Sequence, residues 1–141
     1  MIEIVCMLYY RLRKNKPVSK KMDTLNHEPC ILIIDDEKAN CILYETLLTR
    51  RGYKVITLQH ALKTFDLLKE NPVDAIILDI NLPEKNGIEL LKEIRADENY
   101  SRIPVIVVTS DNSTEIRQKV YNEGGNDFIS KPVIPETLNA R

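Results

Sequence analysis

Residues 73–79 read Val-Asp-Ala-Ile-Ile-Leu-Asp, and the apolar run 75–78 stops at the carboxylate of Asp79. Pro72 precedes this stretch, and Asn81, Leu82 and Pro83 follow it. A short apolar run bounded by turn formers reads as a strand buried on both faces. An Asp that ends such a strand sits at the mouth of the sheet, where parallel sheets bind their ligands. Taken alone, Asp79 could equally end a strand or cap a turn, because Asp is common in both places. The rest of the chain decides between the two.

The same kind of run recurs at 30–34 (Cys-Ile-Leu-Ile-Ile) and 104–109 (Pro-Val-Ile-Val-Val-Thr). Residues 53–57 alternate and read as a half-buried edge strand, and 126–130 as a short last strand. Helical spacing lies between them. Ala39, Ile42, Leu43, Leu47 and Leu48 mark a first helix, closed by Gly52. Ala61, Leu62, Phe65 and Leu68 mark a second, stopped at Asn71-Pro72. Ile88, Leu91 and Ile94, with Leu90 beside them, mark a third after the loop 83–87. A fourth, capped by Asn112 or Ser113, carries only the thin stripe Ile116 and Val120 before Gly124-Gly125. A fifth begins at Pro135 and has under two turns of sequence. Strict β-α alternation predicts an α/β fold: a five-stranded parallel sheet with helices on both faces.

In a parallel sheet the carboxyl ends of all strands share one rim. The residues ending strands one, three, four and five are Asp35 with Asp36, Asp79, Thr109 and Lys131. Clustered carboxylates repel one another, which favours a bound cation. All-oxygen ligands, with no His or Cys nearby, favour a hard ion, and open positions for water and phosphate oxygens suit magnesium best. Lys131 can hold a phosphate oxygen as a point charge, and the Thr109 hydroxyl can donate to another. Asp79, central and following the most buried run, is the best nucleophile, since carboxylates form acyl phosphates.

These residues make the chain similar to response-regulator receiver domains over about residues 30–141. The resemblance rests on Asp35-Asp36, Asp79 within Leu-Asp-Ile-Asn-Leu-Pro, Gly87, Thr109-Ser110, and Phe128 with Lys131-Pro132. Asp36, Asp79, Thr109 and Lys131 are separated by 43, 30 and 22 residues, in keeping with that family. The resemblance implies a flavodoxin-like sheet order 2-1-3-4-5. It also implies a magnesium-dependent phosphoacceptor switch of a two-component system. Asp79 would accept the phosphoryl group from a sensor histidine kinase or a phosphotransfer protein. Asp36, Asp79 and the backbone carbonyl of Asn81 would ligate Mg2+, with Asp35 acting through a water. Thr109 and Lys131 would hold phosphoryl oxygens, and Phe128 would turn inward as Thr109 moves. The Lys131-Pro132 bond is expected to be cis. Asn81 and Asp111 would flank the path of the hydrolysing water, giving a phosphoryl lifetime of minutes or less. A homodimer would use the face of helix four, strand five and helix five. The alternative is a scaffold that uses the fold without phosphorylation.

The remaining features set limits. Net charge is -1, so no overall field argues for nucleic acid. The charge is uneven, net +3 over residues 1–29 and net -4 over 30–141. Three cysteines without CxxC spacing fit reduced thiols and a cytoplasmic setting. The apolar stretch 1–10 is too short for a bilayer, which needs about twenty residues. Its alternation Ile2, Ile4, Cys6, Leu8, Tyr10 predicts a strand. Residues 1–29 are read as an N-terminal extension, either disordered or, over 1–21, lying ahead of a native start at Met22. Residues 30–141 are read as a domain whose last helix is cut short, with an output domain expected beyond Arg141. An Asp-nucleophile phosphohydrolase would need a second acid where Asn81 stands. No phosphate-binding GxxxxGK[ST] loop is present. The chain is therefore expected to be no enzyme toward other molecules, catalysing only its own phosphorylation and dephosphorylation.

Overall fold

A computed structural model of the chain describes residues 6–8, 11–12, 28–131 and 133. The five expected strands are present: β1 Cys30–Ile34, β2 Lys54–Leu58, β3 Ala75–Leu78, β4 Val105–Thr109 and β5 Asp127–Ser130. They form one parallel sheet in the order β2-β1-β3-β4-β5. Four α-helices follow the first four strands: α1 Lys38–Arg50, α2 Thr64–Glu70, α3 Gly87–Ala96 and α4 Thr114–Asn122. The runs of β1, β3 and β4 are buried at every position, whereas edge strand β2 is exposed or half-buried throughout. The expected fifth helix and the Lys131-Pro132 bond lie outside the described residues.

Alternate residues of each strand feed two separate cores. Leu32, Ile34, Ile76, Leu78, Val105, Val107 and Phe128 point toward α2, α3 and α4. Ile31, Ile33, Ala75, Ile77, Ile106, Val108 and Ile129 point the other way, onto Cys41, Tyr44 and Leu48 of α1. In register Ile33 faces Ile77 and Ile34 faces Leu78, so the residues just past these pairs, Asp35 and Asp79, come side by side. The bond from the Asp79 N–H to the Ile34 carbonyl, 2.9 Å, extends the ladder to that point.

Three expectations change in the structure. In α1 the buried residues are Cys41, Tyr44 and Leu48, while Ile42 is 54% exposed. A polar-tipped Tyr and a Cys outrank an Ile there because the helix's angular position is set by docking onto the sheet, not by residue hydropathy. Ahead of α2, residues Ala61–Lys63 form a 3-10 turn, which rotates Leu62 out to solvent. The N-terminal stretch is helical at 6–8 and 11–12, not extended. Leu8 and Leu12 are both buried in the α1-side core. Between them Arg11 reaches Asp127 through two bonds of 2.9 and 3.2 Å, and the Asn126 carbonyl at 3.0 Å.

Helix α3 is fixed at both ends. The Asn86 side chain accepts from the Ile88 N–H at 2.8 Å, a regular N-cap. At the other end Arg95 donates to the carbonyls of Gly124, Ser101 and Ile103 and to Asn126 Oδ1. Gly87 is required by close approach: a Cβ there would collide with the Asp79 carbonyl oxygen and lie 2.7 Å from Ile80 Cα. The first turn of α3 therefore lies directly against the backbone that carries Asp79.

Candidate functional site

The sheet order reverses direction between β1 and β3, and the strand ends open a crevice at that point. Asp35, Asp36 and Asp79 meet there, with one carboxylate oxygen from each within 4.8 Å of the others. Asp35 and Asp79 are buried at 2% and 4% exposure, while Asp36 is exposed. Asp36 and Asn81 line an open cleft of about 360 Å³ together with the loop residues Glu84, Lys85 and Asn86.

Each buried carboxylate is oriented by the backbone and by one shared cation. Asp35 Oδ1 accepts from the Glu37 N–H at 2.9 Å, and Asp79 Oδ1 from the Asn81 N–H at 3.1 Å. The Lys131 ammonium donates to Asp35 Oδ2 and to Asp79 Oδ2, 3.1 Å from each. The Lys131 N–H bonds the Thr109 carbonyl at 2.8 Å, which ties the end of β5 to the end of β4. Thr109 is fully buried, and its hydroxyl oxygen accepts from the Asp111 N–H at 3.3 Å.

One ammonium, bonded to two of the carboxylates, thus stands against three, a net deficit of two positive charges. The titration behaviour follows. Burial pushes the Asp79 carboxyl above its ordinary value, and the bonds from Lys131 and the Asn81 N–H do not overcome it. Burial also works against the Lys131 ammonium, but two carboxylates hold it, and its pKa rises. Tyr44 lies beneath the site, and burial pushes its phenol up to about 12. The donor set is hard oxygen only, the charge deficit is two, and the exposed Asp36 leaves open positions for water. A divalent cation of the magnesium type fits these residues.

The structure brings together the sequence-expected residues Asp35, Asp36, Asp79, Thr109 and Lys131. Asn81 is placed beside them through its N–H on Asp79. Phe128 is not at the rim. It is buried at 6% exposure in the core under α4, with the Arg117 guanidinium carbon 4.8 Å from its ring centroid. Sequence reasoning missed several supports. Asn40 in the first turn of α1 donates to Asp35 Oδ2 at 3.3 Å. Gln59 donates to the Asp36 carbonyl at 3.2 Å, and His60 pairs with Glu84 at 2.6 Å. Asn40 could have been found as a polar residue facing the rim one turn after the acids. The loop contacts have no signal in local sequence.

A family model described as the response regulator receiver domain matches residues 31–141. The chain is 34% identical over 113 residues to a chemotaxis protein CheY homolog of Campylobacter jejuni, covering 79% of this chain and 87% of that protein. Chemotaxis protein CheY4 of Vibrio cholerae superposes with a TM-score of 0.74 at 27% identity, over 81% of this chain and 95% of that one. The Mn2+-bound form of response regulator Rcp1 superposes with a TM-score of 0.70 at 28% identity, over 78% and 86%.

Proposed function

This chain belongs to the response regulator receiver family, and from that premise we propose that it is a phosphoacceptor switch with Asp79 as the accepting residue. The observation that carries the reading is Lys131, 3.1 Å from both Asp79 and Asp35, in a pocket whose three carboxylates lack two positive charges. An Asp79 oxygen forms a bond to phosphorus as the phosphorus–nitrogen bond of a phosphohistidine breaks and the imidazole leaves with the electron pair. The donor is a histidine kinase or a phosphotransfer protein. Asp36, Asp79 and the Asn81 carbonyl would hold Mg2+, with Asp35 acting through a water, and the ion supplies positive charge where the phosphoryl oxygens lie. That the response regulator Rcp1 has a Mn2+-bound form supports the binding of a divalent ion.

The chain's own residues do the rest. The Asn81 N–H fixes the Asp79 carboxylate against rotation. Lys131, released from Asp79 Oδ2 once that oxygen carries the phosphoryl group as an acyl phosphate, is within reach of a phosphoryl oxygen while Asp35 still holds it. Thr109 Oγ1, an acceptor from Asp111, has a proton to donate to another phosphoryl oxygen. Burial of Asp35, Asp79 and Thr109 limits water at the reacting atoms. The added charge then biases a two-state surface elsewhere, and the chain turns over no other molecule. Among the described residues no helix is long and apolar enough to cross a membrane.

The test is uptake of beryllofluoride and of phosphate from acetyl phosphate, with and without Mg2+. We expect Mg2+-dependent uptake of one equivalent, abolished in Asp79→Asn. Absence of uptake by the wild-type chain would favour the phosphorylation-independent scaffold.

A further inference from the structure

Helix α4 is the least anchored helix beside the site. Val120 is its one buried residue, and Tyr121 is 46% exposed. Half-buried Ile116 packs against the same core, and a further tie to the sheet is an exposed side chain over a buried one. The Arg117 guanidinium lies 4.8 Å from the centroid of the Phe128 ring, and Phe128 is packed into the core with Leu32, Val107 and Val120. A guanidinium is drawn to the negative face of an aromatic ring, so this contact favours the inward ring position in which it is made. Phe128 sits three residues before Lys131, and β5 is paired in register with the end of β4, where Thr109 faces Ser130. The ring and the phosphoryl-binding groups are thus borne by the same two strand ends.

We propose that Arg117 is a positioning residue: its guanidinium holds Phe128 inward, couples α4 to β5, and thereby raises the affinity of the Asp79 site for a phosphoryl group. This rests on the switch reading above, in which the inward ring accompanies an occupied site. Linkage makes the effect reciprocal. A contact made only in the ring-inward state favours whatever binds that state, and a ligand of that state favours the contact. A cation–π contact with an exposed partner changes that equilibrium about two- to five-fold.

The chain has two Phe residues, Phe65 and Phe128, so incorporation of 4-fluorophenylalanine gives two fluorine resonances. We expect Arg117→Gln to shift the Phe128 resonance and leave that of Phe65 in place. Arg117→Lys, which keeps a cation, should move it back toward the wild-type position. In the same variants the dissociation constant for beryllofluoride with Mg2+ should rise about two- to five-fold in Arg117→Gln and less in Arg117→Lys. A Phe128 resonance untouched by Arg117→Gln overturns the clamp. A shifted resonance with unchanged beryllofluoride affinity overturns the coupling. If the wild-type chain takes up no beryllofluoride at all, the switch reading fails, while the fluorine spectra still decide whether Arg117 positions the ring.

Discussion

Replacing Asp79 by Asn should stabilise the protein in metal-free buffer, although it removes an ion pair. At 3.1 Å the Lys131–Asp79 attraction is about 5 kcal/mol for an effective dielectric of ~20. Repulsion from Asp35, at no more than 4.8 Å, takes back about 3.5 kcal/mol or more. Asp36 is exposed and screened, so it adds less. Desolvation of a carboxylate that is only 4% exposed costs several further kcal/mol. The balance is a net cost of about 1–3 kcal/mol, consistent with the upward shift of the Asp79 pKa. The neutral amide of the variant would still accept from Lys131, and Lys131 would keep Asp35. With about 3 °C per kcal/mol for a domain of this size, Tm should rise by about 3–9 °C in EDTA at pH 7. A folded pKa above the unfolded value of 3.8 means the cost is fully present above the folded pKa and vanishes below 3.8. The gap between the two proteins should therefore close as the pH is lowered through that window. Saturating Mg2+ at 100 times its dissociation constant should raise the wild type by about 2.7 kcal/mol and the variant by less. A variant that melts at or below the wild type in EDTA at pH 7 refutes the charge argument.

Lys131→Met leaves the two buried carboxylates without their shared cation and should cost about 3–5 kcal/mol, read by urea unfolding; a loss under 1 kcal/mol would be evidence against it. Because the Lys131 pKa is raised, its stabilising contribution is complete below the unfolded value near 10.5 and is lost only as pH climbs through the folded value. The wild-type advantage over Lys131→Met should accordingly be flat from pH 7 to about 10. Gly87→Ala forces a Cβ into the Asp79 and Ile80 backbone and should cost about 1–3 kcal/mol while weakening Mg2+ binding by titration; unchanged Mg2+ affinity would separate α3 from the site. Leu8→Ala, at a fully buried position, should destabilise by about 2–5 kcal/mol in thermal unfolding, and a shift near zero would detach the N-terminal helical segment from the core. Phosphorylated wild type should lose its label within minutes, and Asp111→Ala should change that rate; slow loss indifferent to the substitution counts against the water path.

Much of the architecture was legible because β1, β3 and β4 are buried on both faces, which writes them as unbroken apolar runs. The rim residues were legible for a related reason: a polar residue closing such a run marks its end, and parallel strands put those ends together. What failed were choices made by packing alone. Cys41 and Tyr44 face the sheet and Ile42 does not, because the docking angle of α1 is set by β1 and β3. The alternation at 1–10 pointed to a strand, yet residues 6–8 are helical and Leu8 is buried in the core with Leu12, with Arg11 gripping Asp127. Arg117 was invisible in sequence, since its meaning depends on an aromatic eleven residues later on another element.

The two-sided division of the sheet reaches past its last hydrogen bond. Asp35 and Asp36 are chemically the same and adjacent, yet one is enclosed and the other open to solvent. They inherit this difference from β1, where Ile31 and Ile33 turn to one side and Leu32 and Ile34 to the other. Inserting or removing one residue within β1 would thus do more than scramble packing. Removal would bring Asp36 to the enclosed place beside Lys131 and Glu37 to the open one, and insertion would push Asp35 out to the open place, even though every functional side chain was still encoded. Parity, as much as composition, is what this stretch of sequence has to preserve.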